Sequence, residues 1–449
     1  MRPAWPLPFA ARLLANALRS GVWCNAGMPD PTMNPTSEPA SPGALRDLRV
    51  LELGSLIAGP FATRLLGEFG ADVIKVEPPA RDGEPGGDPL RTWRQLHRGT
   101  SLWWAAQARN KRCITLDLKS DAGRDIVLRL VRSCDVLVEN MRPGALEKLG
   151  LGWEQLREVN PSLVMVRISG FGQSGPLRSQ PGFGAIAESM GGMRYVTGAP
   201  ALPPMRANLS LGDSIAALHA VAGALAALRH RDATGGRWDG SRGGEGQVVD
   251  VALLESVFNL MESTLMEYSV GGQVRERTGT AIPGIVPSNV YRSRGGEWVQ
   301  ISGNGDAIFQ RLMRAIGRDD LAAAPDLAAN PGRIARAAEI DAAIQHWAAG
   351  LDADAVVRAM RDADVPAARI YSIADIVADA QFQARGMIEP HRLADGTAVQ
   401  LPGIVPKFSA TPAATRWLGP ALGAHNAEVL AELGVDDARL AALRADGVV

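Results

Sequence analysis

From residue 48 onward the chain alternates short apolar runs with longer stretches whose apolar residues recur every three or four positions. The short runs are 49–54, 70–77, 113–117, 135–139 and 163–168, rich in Val, Ile and Leu, and they read as buried strands. Between them, 60–69, 122–132 and 146–159 have helical spacing, the first with Pro60 near its first turn and Gly70 placed as a C-cap. Such β-α-β alternation predicts parallel strands and a doubly wound α/β sheet. An Ala- and Leu-rich helix is predicted from Asp213 to Leu228, then a polar, glycine-rich surface excursion over 229–244. A strand at 247–251 leads into a helix over 253–267. Residues 287–301 read as a hairpin about Gly295-Gly296. Helices follow at 308–316 and through 334–378, and a second hairpin over 391–404 turns at Asp395-Gly396. Strands and helices mixed in this way predict a smaller α+β domain. The tail, 422–434, has the pattern of one amphipathic helix with a glycine stop.

Residues 1–43 differ from the rest. An arginine-bearing, acid-free Ala/Leu run passes into a Pro-, Ser-, Thr- and Asn-rich linker. The stretch fits a mitochondrial-type presequence, an over-extended start with Met28 or Met33 as the true beginning, or a disordered tail. We take it as a dispensable extension. The remaining boundaries are 44–228 for a large domain carrying Asp213, 229–270 for a linker and connecting helix, 271–408 for the small domain, and 409–449 for a segment returning to the large one.

With 46% hydrophobic and 21% charged residues, the composition is that of an ordinary globular protein. A net charge of −1 supplies no global case for nucleic acid or a membrane surface, and the apolar runs read as too short or too charged to span a bilayer. Cys24, Cys113 and Cys134 are odd in number and form no CxxC pair, and the histidines show no HExxH spacing. No metal site or disulfide framework is expected, and a reducing compartment fits. The expected location is the cytoplasm, or the mitochondrial matrix should the first residues be a presequence.

In an open α/β sheet the loops at the carboxyl ends of the strands hold ligands. Here these are 54–60, 78–91, 140–148 and 170–184. The first is not GxGxxG, so the dinucleotide fingerprint is absent. The third, with Asn140, Arg142 and Lys148, suits a phosphate-bearing ligand or is simply a solvated turn. Asp213 follows the small-residue turn Leu211-Gly212 and has two readings: a helix cap, or a carboxylate nucleophile beside a glycine that admits a ligand. Arg206 and Arg112 are either partners for a second substrate carboxylate or ordinary surface arginines.

Seven stretches in register carry a resemblance: Val50-Leu-Glu-Leu with Ala58-Gly-Pro60, Gly70 to Glu77, Asn110-Lys-Arg with Leu116 to Lys119, Glu139 to Gly144, Gly170-Phe-Gly with Gly175-Pro176, Gly212-Asp213-Ser214, and Leu422-Gly-Ala-His425. Together they resemble the family III CoA-transferases, the family of formyl-CoA transferase and carnitine CoA-transferase, with α-methylacyl-CoA racemase as a relative. The resemblance covers about residues 45 to 435. It implies a large domain with a Rossmann-like parallel sheet, a smaller α+β domain, and two subunits interlocked into a homodimer whose active sites draw on both. It implies that CoA, a substrate rather than a permanently bound cofactor, lies against Ile57, Ala58, Leu116, Asn140, Met141, Ala145 and Lys148, with Lys119 and Arg142 beside them. It implies that Asp213 attacks an acyl-CoA donor to form an aspartyl anhydride and then an aspartyl-CoA thioester, which a carboxylic-acid acceptor takes over; Arg206 and Arg112, read as partners for a second carboxylate, make a succinyl-CoA-type donor and a dicarboxylic acceptor the expected pair. A carboxylate is ionised near neutral pH and needs no general base. A glycine-rich turn of the small domain approaches the site in this family, and Gly303 and Gly305 are the matching positions.

Two departures bear on the chemistry. The racemase relative carries a histidine where this chain has Phe183, and phenylalanine cannot shuttle a proton. Many transferases have an aspartate at the next position, which is Gly184 here, and Pro78 stands where formyl-CoA transferase has a phosphate-lining arginine. A CoA-transferase is the first expectation, a racemase-type isomerase the second, and a catalytically silent acyl-CoA-binding paralogue the third.

Overall fold

The computed structural model describes residues 43–81, 83–235 and 244–449. The expectations for the N-terminal extension, and for 236–243 of the glycine-rich excursion, lie outside the described residues.

Strands β1 (Arg49–Glu52), β2 (Asp72–Glu77), β3 (Lys111–Thr115), β4 (Val136–Glu139), β5 (Val164–Ser169) and β6 (Val248–Ala252) form one sheet in the order β3-β2-β1-β4-β5-β6. Every neighbouring pair is parallel. Alternate residues face opposite ways, and both faces are covered. Val50, Val73, Val138 and Val166 enter one core, and Leu51, Ile74, Leu137 and Met165 enter the other. That double burial is why the strands are near-continuous apolar runs. The chain runs outward from β1 to β3 and then returns to lay β4 on the other side of β1, so the strand order reverses between β1 and β4. Ligands of open α/β sheets bind at such a reversal.

Among the described residues the α-helices up to residue 271 are α1 (Ala58–Glu68), α2 (Leu102–Gln107), α3 (Asp121–Val131), α4 (Ala145–Lys148), α5 (Trp153–Val159), α6 (Gly184–Met190), α7 (Met193–Val196), α8 (Leu211–Ala233), α9 (Leu253–Asn259) and α10 (Thr264–Gly271). Helix α8 packs on α1, and its Ala216, Ala217, Ala220 and Ala224 are buried in the core the two helices share with the sheet. Contrary to the sequence reading, this helix is long and apolar enough to match a membrane span by length and composition. Half of that apolar stretch is buried, against α1 and the sheet.

The smaller lobe has its own core. Strands β7 (Ser288–Arg292), β8 (Trp298–Ser302) and β9 (Ala367–Arg369) pair antiparallel in the order β9-β8-β7, covered by helix α11 (Asp306–Ala315) and the helices Ala337–Ala348 and Ala353–Asp362. A separate hairpin joins β10 (Ile388–Arg392) to β11 (Ala398–Pro402). The chain then returns to the large sheet: Asn426 receives the Thr115 amide at 2.8 Å and donates to the Thr115 hydroxyl.

Several expected elements are redrawn. The single helix over 146–159 is two, α4 and α5, because Gly150 adopts φ +70° between them. The helix over 253–267 likewise divides into α9 and α10 around Glu262 at φ +50°. The Asp213 helix runs on to Ala233, into the expected excursion. Strand β9 interrupts the helical stretch over 334–378, and the tail adds a second helix, Asp437–Ala445.

Candidate active site

The loop leaving β1 is held from below by buried charge. Glu52, Lys75 and Lys111 sit within strands and are almost wholly buried. Lys75 Nζ bonds Glu52 at 2.7 Å, Asp88 at 2.9 Å and the Gly54 carbonyl at 2.8 Å. Lys111 Nζ bonds Glu52 at 2.7 Å and the Pro60 carbonyl at 2.7 Å. Burial pushes the Glu52 carboxyl up, but the two lysines outweigh it and hold the group down at about 2. Asp88 accepts the Leu56 amide at 3.0 and 3.1 Å, which secures Leu56 at φ +64°, a conformation costly for a bulky side chain. The loop is thereby built to one shape.

Across the strand reversal, Asn140 staples this loop to the one leaving β4. Its Oδ1 accepts the Ser55 amide at 2.8 Å and its Nδ2 donates to the Ser55 carbonyl at 2.9 Å. Gly54 is the glycine this contact requires, since a Cβ there would stand 2.9 Å from Asn140 Oδ1. Ile57 at the end of one loop and Ala58 at the start of α1, and Met141 and Arg142 on the other loop with Ala145 and Lys148 of α4, therefore flank the same reversal; Arg142 and Lys148 are exposed, whereas Ala58 is 2% exposed and belongs to the core. Lys119 is exposed after β3, the edge strand, whereas Leu116 is 1% exposed and belongs to the core. Asn140 is occupied by Ser55, so its role within the structure is to join the loops.

Asp213 is the third residue of α8, not its cap. Ser210 holds the cap position without a side-chain bond, and among the described residues no side chain donates to the Asp213 carboxylate. The Gly212 amide instead donates to Glu188 Oε1 on α6 at 3.2 Å, and Glu188 Oε2 receives Arg194 Nη2 at 3.1 Å. Gly184 opens α6 directly against Asp213: a Cβ there would lie 2.2 Å from Oδ2. Burial, reinforced by the Glu188 carboxylate, pushes the Asp213 carboxyl up to about 6, against its own backbone amide and Arg206. The result is a half-buried, unpaired carboxylate that is still about 90% ionised at pH 7.

The other expected positions fall elsewhere. Gly303 and Gly305 form the turn from β8 into α11, and their nearest neighbours are Leu312, Pro287 and Ile308 of the small lobe. Within one chain no hydrogen bond among the described residues brings them to Asp213. Arg112 is not a site residue: near the start of β3, its guanidinium pairs with Asp72, Glu428 and Glu432. Arg206 is exposed, donating to the Ala207 and Leu209 carbonyls at 3.3 and 3.2 Å. Sequence reasoning missed Glu188 and Arg194, which no local pattern marks. It also passed over Glu52 and Lys75, whose charges inside apolar runs were a usable signal.

The model for CoA-transferase family III matches residues 45–426. The chain belongs to that family. The transferase is 46% identical over 410 residues to the succinyl-CoA–D-citramalate CoA-transferase of Chloroflexus aurantiacus, covering 91% of this chain and 98% of that one. It is 36% identical over 407 residues to the succinate–glutarate CoA-transferase of Agrobacterium fabrum, covering 89% and 98%. Among solved structures it is similar to a CAIB/BAIF family protein from Brucella suis, with a TM-score of 0.75, 32% identity, and 87% and 99% of the two chains covered. The protein is therefore a CoA-transferase that uses CoA thioesters and carboxylic acids as substrates, on the mixed α/β fold expected for it.

Proposed function

We propose that the transferase moves CoA from a succinyl-type dicarboxylic acyl-CoA to a second carboxylic acid through covalent intermediates on Asp213. The observation that carries this reading is the Asp213 carboxylate, half-buried, raised to about 6 and left without a side-chain partner at the start of a rigid helix. Desolvation makes a carboxylate a stronger nucleophile, and a value near 6 keeps it ionised at working pH. Asp213 attacks the thioester carbonyl carbon; the C–S bond breaks, giving an anhydride and CoA thiolate. The thiolate attacks the aspartyl carbonyl, expelling the donor acid and leaving an aspartyl-CoA thioester. The acceptor carboxylate attacks that thioester and releases the thiolate, which then attacks the acceptor's acyl carbon and frees Asp213.

CoA is assigned to the strand reversal, against Ile57, Ala58, Met141 and Ala145, with Lys119, Arg142 and Lys148 available to its phosphates. The dicarboxylic preference rests on the relatives, whose names pair succinyl-CoA or succinate with citramalate and glutarate. A homodimer is proposed as well. Phe183 beside α6, Leu218 on α8, and Met266 and Val270 on α10 are exposed, Val270 to 89%, and large apolar side chains left open to this extent favour a second copy. In that assembly the Gly303–Gly305 turn would reach Asp213 from the other subunit.

The test is incubation with succinyl-CoA and a panel of acids, read by mass spectrometry of new thioesters, with hydroxylamine to trap the acyl-enzyme. Acceptor-dependent thioester formation that is lost in Asp213→Ala is expected, with the acid limb of kcat/KM near pH 6. Deuterium wash-in at the α-carbon without acceptor-dependent exchange would replace this reading with an isomerase, and full transfer by Asp213→Ala would remove the nucleophile assignment.

A further inference from the structure

A carboxylate in the first turn of a helix ordinarily bonds the free amides there. In α8 one of those amides, that of Gly212, has a different partner. Glu188, on α6, is 3% exposed; its Oε1 accepts the Gly212 amide at 3.2 Å, and its Oε2 accepts Arg194 Nε at 3.2 Å and Nη2 at 3.1 Å. Glycines let the two helix starts meet. A Cβ on Gly212 would stand 2.9 Å from the Gly184 carbonyl oxygen, and one on Gly184 would stand 2.2 Å from Asp213 Oδ2. Two carboxylates thus converge on one helix terminus, one engaged with the amide and the arginine, the other not.

We propose that Glu188, held by Arg194, is the positioning residue of this site: it takes the amide at the start of α8 so that the Asp213 carboxylate stays free to attack the thioester. This rests on the reading of Asp213 as the nucleophile. A neutral acceptor would serve a purely structural cap as well; Arg194 offsets the burial of the Glu188 charge, and that charge still acts on Asp213. The charged groups around Asp213 are Glu188 from α6, Arg206 from the preceding loop, and Arg194, which reaches it through Glu188. Removing the Glu188 charge removes the carboxylate that opposes ionisation of Asp213, leaves the Arg206 charge that favours it, and so favours the ionised form.

Glu188→Gln retains an acceptor for the Gly212 amide and loses only the charge, so the acid limb of kcat/KM should move to lower pH by about half a unit or more. Glu188→Ala leaves the amide to compete for Asp213, so kcat should fall about 10- to 100-fold while KM for succinyl-CoA changes less than about threefold. A limb unmoved within about 0.2 pH unit in Glu188→Gln overturns the proposal, as does a folded Glu188→Ala protein with wild-type kcat. Should Glu188→Ala fail to fold, the Glu188→Gln profile decides. Asp213→Asn is assayed alongside. If it still turns over, the nucleophile reading fails and takes this one with it; if it is inert while the Glu188 variants behave as wild type, only the positioning role fails.

Discussion

Replacing Asp213 with asparagine removes one charge and keeps the side chain's shape, and the electrostatics of the site then predict a protein that is more stable and inactive. Burial and the Glu188 carboxylate raise the Asp213 carboxyl from 3.8 to about 6. The unfolded chain releases this proton near the lower value and the folded chain only near the higher one. Asp213 therefore favours folding fully below about 3.8, and that contribution is lost as pH rises through about 6. At pH 8 the whole shift would amount to about 3 kcal/mol at roughly 1.4 kcal/mol per unit. Partial exposure of the carboxylate screens it, so a gain of about 1–2 kcal/mol is expected for Asp213→Asn. By pH 5 the folded wild type is largely protonated and the gain should shrink to about half. Denaturant titrations of both proteins at pH 8 and pH 5 measure the difference, and succinyl-CoA turnover measures the activity lost in exchange. A variant less stable than wild type at pH 8, or a difference that does not shrink at pH 5, would refute the desolvation argument. Asp213 would then be a helix-stabilising carboxylate of the ordinary kind.

Gly184→Ala places a Cβ 2.2 Å from Asp213 Oδ2 and must push the carboxylate aside, so kcat should drop about 100-fold or more with little change in the unfolding midpoint; wild-type kcat would show that the carboxylate does not depend on this contact. Asn140→Ala removes both bonds to the Ser55 backbone, and KM for the acyl-CoA should rise about 10-fold with a smaller effect on kcat, as measured by steady-state kinetics. Lys75→Met leaves Asp88 buried without a cation and Glu52 with Lys111 as its one remaining cation, and should cost about 3–5 kcal/mol in urea unfolding.

The strands of the large sheet were legible because both of their faces are buried, which leaves runs such as Val136 to Val138 almost free of polar residues. The divided helices were less so. Gly150 was a visible break, but the apolar spacing continues across it because Leu146 on α4 and Leu156 on α5 enter the same core. Glu262 left no mark at all, being a residue type that rarely adopts positive φ. The site divides in the same way. Asp213 could be singled out from its setting and from the motifs around it, yet nothing local separates a cap from a nucleophile, because that choice turns on which other group reaches the helix amides. The group that does so, Glu188, lies 24 residues from Gly212 and is brought there only by the packing of α6 on α8. Local reasoning weighs what a side chain can bond within its own turn, and by that measure Asp213 should have capped its helix. Its freedom is a tertiary property: a second carboxylate satisfies the amide, an arginine holds that carboxylate, and two glycines admit both to one place. The same packing that displaces Asp213 from the cap also raises its proton affinity, so the feature that hid its free carboxylate from the sequence is the one on which the proposed nucleophile rests.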